Sequence, residues 1–277
     1  MRLHFTSKWN KGEIKEYKFV KRKIKIENGT EISRKETTKI IQIQILKSEP
    51  ESDLIRWTEF DDSKSLISRI FLKLFKERLD ETFTISYTTI SGVIDELVEK
   101  KDLDFEIKLL KKQLSQIGKT NQEKELIEEA ISDEVVLSRL LKPLYIFHFP
   151  YDEEFSEPPL IEEIEMANPF IKGNKLPGQL INSLLYLDET KKVGEIRIEK
   201  KYDQSALNKV TKEILTEIDI KLEKNRNKEN LPLFVATEIF NYKIDLDSNW
   251  VVNGKYEKVM LSKNQENIET IEFKKIK

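Results

Sequence analysis

From Leu3 to about Phe60 the chain alternates apolar and polar positions with the two-residue period of a half-buried strand. Tyr17, Phe19 and Val20 lead into Ile24 and Ile26, with lysines interleaved. Asn28-Gly29 follows, a strong hairpin signal because both residues tolerate positive φ. Beyond it Thr38, Ile40, Gln42, Gln44 and Leu46 alternate with Ile41, Ile43 and Ile45, so one face is clearly apolar. Leu54, Ile55, Trp57 and Phe60 predict one more strand, and the whole stretch reads as an antiparallel meander.

The period then changes. Leu66, Ile67, Ile70, Phe71, Leu74, Phe75 and Leu79 fall at helical spacing, which predicts an amphipathic helix over 65–79 capped by Ser63 or Ser65. A strand is expected over 82–94, with Ser91-Gly92 as a turn or kink. Residues 95–141 read as largely helical, in three segments separated near Gly118 and Ser132 and stopped by Pro143. The apolar run 144–149 reads as a buried strand, and 150–160 as a proline-rich acidic loop. Leu176-Pro177-Gly178 reads as a turn. Strands follow over 179–187 and 193–201, a helix over 204–222, and strands over 233–246, 250–261 and 268–276. Asn253-Gly254 marks a hairpin turn or a bulge.

Antiparallel sheets with one solvated face produce this alternation. The expected fold class is therefore α+β: a large, strongly curved antiparallel sheet of nine to twelve strands, half-barrel-like, with four or five helices packed on one face. One domain over residues 1–277 accounts for the order of elements. The proline-rich loop near 150–160 is the place for a subdomain boundary or a pseudo-duplication, because strands, helix and strands recur on either side of it.

Composition narrows the chemistry. The chain has 277 residues, a formal net charge of -2 and 35% charged residues, yet 14 Phe, 8 Tyr and 3 Trp supply a core. A net charge near zero gives no global attraction to nucleic acid, and none is expected as a partner. No apolar run approaches the roughly 20 residues of a membrane-spanning helix. There is no cysteine, which removes disulfides, thiolate catalysis and cysteine-ligated metals. His4 and His148 are the only histidines, and no HExxH pair exists. No cofactor or metal is expected: the eight glycines are scattered, without a GxGxxG or GxxxxGK[ST] cradle.

Four local features invite functional readings. His4 and His148 sit in alternating apolar contexts and read as structural or surface residues. Asp152, Glu153, Glu154 and Glu157, flanked by Tyr151 and Phe155, form an acidic cluster that could line a sugar-binding cleft, but acids are so common in this chain that a solvated loop is the expected reading. Lys21, Lys23 and Lys25 lie on one face of a strand, opposite Ile24 and Ile26, and read as a solvated sheet face; Lys111-Lys112 and Lys274-Lys275 read the same way. Trp9, Trp57, Phe240, Tyr242 and Trp250 lie in strand or strand-edge contexts, where they either fill a core or line an apolar cavity.

The order of strands and covering helices resembles the open half-barrel of bacterial lipoprotein carriers and related envelope proteins. The richness in Lys, Ile, Glu and Asn resembles exported proteins of Bacteroidota. The resemblance implies a carrier's apolar groove between sheet and helices, with those five aromatics as ligand-binding walls. It also implies a hydrophobic small molecule, a lipid or a protein as partner. The expected function is thus a non-enzymatic cell-envelope protein binding a hydrophobic ligand or a protein partner. A structural or adaptor protein with a filled core, and a glycan-binding or glycan-hydrolysing protein, are the alternatives. Residues 1–13 read as a strand and turn, so a periplasmic or outer-membrane-associated place is expected if a signal was removed, and a cytoplasmic one otherwise.

Overall fold

The alternating stretch at the start of the chain folds as one long hairpin of β2 (Ile14–Glu27) and β3 (Thr30–Ser48). Its turn residues Asn28 and Gly29 take φ of 50° and 77°, the pair of left-handed conformations that matches the twist of the flanking strands. The structure is a computed structural model and describes residues 1–50, 52–61, 81–99, 141–168, 174–221, 235–262 and 265–277. The remaining strands are β1 (Arg2–Phe5), β4 (Asp53–Asp61), β5 (Glu81–Ile90), β6 (Val93–Glu99), β7 (Glu153–Ser156), β8 (Leu160–Ala167), β9 (Lys175–Asp188), β10 (Val193–Tyr202), β11 (Val235–Asp245), β12 (Trp250–Ser262) and β13 (Gln265–Lys275).

All belong to one 13-stranded sheet in the order β1-β7-β9-β10-β11-β12-β13-β2-β3-β4-β5-β6, with β8 beside β9. The last strand, β13, therefore pairs with β2 and ties the end of the chain to its beginning. Every pairing is antiparallel except β7 against β9, which meet through Ser156 and Ser183. The sheet rolls until its two ends approach each other. The Ser7 N–H, just after β1, donates to the carbonyl of Ser91, in the β5–β6 turn, at 3.1 Å.

This architecture corrects the expected class. Among the described residues there are two helices, α1 (Lys142–His148) and α2 (Gln204–Lys221), not four or five over one face of an α+β fold, and the sheet is mixed and dominates the molecule. The helix expected over 65–79 and most of those over 95–141 lie outside the described residues, while 95–99 continues strand β6. The strand expected over 144–149 is instead helix α1. Periodicity cannot separate a short, wholly apolar strand from a buried helical turn, and Pro143 at the start of the segment favours the helix. The loop expected over 150–160 contains β7 and the start of β8. Leu176-Pro177-Gly178 is not a turn but lies within β9, where a side chain on Gly178 would strike Met166 of β8.

The core fills the roll. Tyr17, Phe19, Ile41, Ile43, Ile45, Trp57, Ile196, Ile198, Tyr242, Ile244 and Phe273 point inward from successive strands, and Leu144, Ile146 and Phe147 of α1 fill the space between them. The Phe147 ring centre lies 5.1 Å from that of Tyr17 and 5.6 Å from that of Phe273, so α1 is the axle of the roll. A smaller cluster of Leu176, Leu207 and Ala236 seats α2 against β9 and β11. No helix among the described residues is long and apolar enough to cross a membrane.

Candidate functional site

Each inward row changes character along its strand. On β2 it runs Tyr17, Phe19, Lys21, Lys23, Lys25, because side chains on one face of a strand recur every second residue. On β3 it runs from Ile45, Ile43 and Ile41 to Lys39 and Lys35; on β4 from Ile55 and Trp57 to Glu59. On β10 Ile196 and Ile198 give way to Lys200, on β11 Tyr242 and Phe240 to Glu238, on β12 Tyr256 to Lys258, and on β13 Phe273 and Ile271 to Glu269. The molecule thus has an aromatic end and a lysine end. The boundary falls where α1 begins: the apolar side chains are those it covers, and Lys142 at its start already belongs to the charged layer.

The aromatic end is sealed. Trp9 stacks on Trp250 at 4.9 Å and meets Tyr151 edge-on at 5.1 Å. The Trp250 indole N–H donates to Glu13 at 2.7 Å, and the Asn249 amide donates to the Thr6 carbonyl at 2.7 Å. Trp57 packs 6.0 Å from Phe147, Phe240 lies 4.5 Å from Phe149, and the Tyr242 hydroxyl donates to the Ile146 carbonyl at 2.7 Å. All five aromatics expected to wall a ligand cavity are therefore buried against protein. They are brought into the core around α1, although Trp9 and Trp250 lie far from Trp57 in sequence.

The histidines are placed apart. His148 is wholly enclosed. Its Nδ1–H donates to the Gly92 carbonyl at 2.7 Å, so Nε2 accepts from the Tyr87 hydroxyl, also at 2.7 Å. Burial drives its pKa down to about 4, against the smaller opposing effect of the Gly92 bond. It is a neutral structural group. His4 is exposed on β1 and faces Asp152 at 3.1 Å.

The acidic cluster is divided between core and surface. Tyr151 and Phe155 turn into the core, and Glu153 accepts from the Asn182 amide at 2.8 Å. Burial pushes the Glu153 pKa up against that bond.

The lysine end holds a hollow of about 440 Å³, lined by Lys23, Lys25, Lys35, Lys142 and Lys258 with Ser33, Asn267 and Glu269 and the apolar Ile24, Met260 and Ile268. Its floor is charge-paired. Glu269 accepts from both Lys142 and, at 3.1 Å, Lys21. Burial alone would raise the Glu269 pKa, but the two ammonium groups reverse this and hold it at about 2. Burial lowers Lys142 in spite of Glu269. Lys258 pairs with Glu238 at 2.6 Å, and Lys39 with Glu59. Lys142 also lies 4.5 Å from the Tyr256 ring centre, and Lys200 lies 4.2 Å from that of Phe149.

The rim differs from the floor. Lys23, Lys25 and Lys35 have no ion-pair partner among the described residues. Lys23 stands directly across from Lys35 in the ladder, and Lys25 directly across from Ser33. A larger groove of about 570 Å³ crosses the outer face of the sheet, but there Lys243 pairs with Glu195 at 3.4 Å, and Arg22 with Glu272 at 2.9 Å.

Alternation with Ile24 and Ile26 predicts a solvated face for Lys21, Lys23 and Lys25; Lys23 is exposed and Lys21 and Lys25 are half-buried, on the face that carries Tyr17 and Phe19 further along β2. The signal that finds the site is parity: those lysines share a row with Tyr17 and Phe19, which are buried. Lys258 and Glu269 carry the same parity signal through Tyr256 and Ile271, whereas Lys142 carries none, and only the register of β13 on β2 brings Glu269 beside Lys23.

No protein-family model matches the chain. None of the curated proteins matches it in sequence. Among solved structures it is similar to an outer membrane lipoprotein-sorting protein domain from Vibrio parahaemolyticus, at 8% identity over 95% of this chain and 84% of that one, with a TM-score of 0.14. It is also similar to a mutant of Rh. blastica porin, at 6% identity over 95% of this chain and 100% of that one, with a TM-score of 0.19. Likenesses at these TM-scores carry no argument about the fold or the role of this chain.

Proposed function

We propose that this protein is a non-catalytic binding protein whose ligand is anionic and seats in the lysine-lined hollow. One observation carries the reading: inward rows that are apolar under α1 become charged beyond it, and three of the lysines there, Lys23, Lys25 and Lys35, have no ion-pair partner among the described residues. Uncompensated like charge on a shared face opposes folding. A fold that keeps it on a concave surface gains from an anion that neutralises it. The binding role implied by the carrier resemblance is retained in this reading, while the ligand chemistry moves from apolar to anionic. Trp9, Trp57, Phe240, Tyr242 and Trp250 then serve as the rigid base beneath the hollow, because their surfaces are already occupied by protein.

The test is retention on a phosphocellulose or heparin column near pH 7 at low salt. With a formal net charge of -2 the protein as a whole is repelled by such a matrix, so retention requires a local patch. The wild-type protein is expected to bind and to elute with added salt, and a Lys23→Gln/Lys25→Gln/Lys35→Gln variant to flow through. Flow-through of the wild type, or co-elution of the two proteins, would sink the reading.

A further inference from the structure

We propose that the anion recognised in this hollow is a phosphate group, held between Lys23 and Lys35 with Lys25 and Ser33 beside them. The inference rests on the anion-binding reading above and adds the chemistry of the ligand. Directly opposed residues of an antiparallel pair have Cβ atoms about 4.5–5.5 Å apart, so the ammonium groups of Lys23 and Lys35 can close on one small anion. Lys25 follows on the same face of β2 at a repeat of about 7 Å, with the Ser33 hydroxyl opposite it as a further donor. Three cations side by side on one face of the hairpin suit a group of high charge density, and a phosphate monoester carries about -1.5 to -2 at neutral pH.

The donor types point the same way. A planar carboxylate is best met by the two parallel N–H groups of arginine, whereas lysine presents a compact point charge suited to the three-fold oxygen face of phosphate. The hollow contains five lysines and no arginine among its lining residues. The arginine nearest along β2, Arg22, points to the other face of the sheet and is held by Glu36 and Glu272. The other lysines lining the hollow, Lys142 and Lys258, are engaged by Glu269 and Glu238, which leaves the rim lysines as its free cations among the described residues. An extended nucleic-acid strand would want aromatic platforms for its bases, and the aromatics here are enclosed in the core.

The experiment titrates the full-length protein with inorganic pyrophosphate, with poly-L-glutamate, and with phosphatidylcholine vesicles that do or do not contain phosphatidic acid, at matched ionic strength. Calorimetry and thermal melting are the readouts. Pyrophosphate is expected to bind and to raise the Tm, and Lys23→Gln or Lys35→Gln to weaken binding by roughly tenfold or more. In the absence of ligand Lys35→Gln is expected to raise the Tm, because it removes the like-charge cross-strand pair with Lys23. Loss of affinity together with a gain in stability cannot come from misfolding.

Binding of phosphatidic-acid vesicles, competed by pyrophosphate, supports the phosphate site and makes a lipid headgroup its source. Pyrophosphate binding without vesicle binding supports it with a soluble phosphate as the source. Poly-L-glutamate binding at these lysines without pyrophosphate binding overturns the phosphate inference and leaves the anionic reading standing. Binding of none of these probes overturns both. Equal pyrophosphate affinity in wild type and Lys35→Gln places the site elsewhere and overturns the inference.

Discussion

Gly92 and His148 show how single residues fix the seam of the roll. Gly92 has φ of 96°, and a Cβ there would lie 2.7 Å from the Tyr151 ring, inside the aromatic end of the core. Gly29 also has positive φ, but a Cβ there would meet nothing within 4 Å. Gly29→Ala is therefore expected to cost about 1 kcal/mol from backbone strain alone, and Gly92→Ala to cost that plus the overpacking penalty of about 1–3 kcal/mol. Urea unfolding of both variants measures the difference, and equal losses would refute the contact. His148, hydrogen-bonded to the Gly92 carbonyl, adds a pH dependence. Its folded pKa, about 4, lies below the ordinary value of 6.5, so the unfolded chain binds the proton more readily. The stability it confers is complete above pH 6.5 and is lost as the pH falls from there through about 4, to a total of about 3 kcal/mol at most. Unfolding free energies measured at successive pH values check the slope, and NMR titration of the imidazole in the folded protein checks its source.

At the scale of elements, α1 is held at both ends by different chemistry. Its last residue, His148, is buried, while Lys142 at its start is tied to Glu269 of β13. Because Lys142 and Lys21 hold the Glu269 pKa at about 2, below the usual 4.5, the carboxylate stabilises the fold above pH 4.5. That contribution is lost as the pH falls through about 2. The lowered pKa of Lys142 returns part of it near neutrality. Glu269→Gln is expected to cost about 1–2 kcal/mol at pH 7, since the site is partly screened by solvent, and to flatten the acid limb of the stability curve between pH 4.5 and 2. An unchanged acid limb would show that the triad contributes nothing. The edges of the sheet are also managed at this scale. Glu162, Glu163 and Glu165 on β8, and Asp95 and Glu96 on β6, place charge where another chain would otherwise pair.

At the scale of the molecule, the roll is built as a filled cylinder with one charged end. Phe147 is wholly buried among Tyr17, Trp57, Trp250 and Phe273, and connects α1 to β2, β4, β12 and β13. Phe147→Ala is expected to cost about 3–5 kcal/mol and to leave an apolar cavity. Benzene should bind to that variant and raise its Tm, while leaving the wild type unchanged. A rise in the wild-type Tm would reveal an apolar cavity in the native core and restore the carrier reading.

The strands were largely legible in the sequence, because a period of two on a half-buried sheet is written in local order. The β2–β3 hairpin, the Ser91-Gly92 turn and strands β9 to β13 all follow from alternation and turn residues. The same local order could not decide α1, since a seven-residue, mostly apolar run is too short to carry a period that can be read. Nor could it decide which face of β2 points inward. Ile24 and Ile26 gave one face an apolar signature, Tyr17 and Phe19 gave it to the other, and only closure of the sheet around α1 selected between them. The hollow is only partly local. Lys23 and Lys35 are set opposite each other by the register of the β2–β3 hairpin, but Lys142 and Lys258 come from α1 and β12, distant in sequence, and join them because β13 pairs with β2 and the roll turns their rows toward one axis.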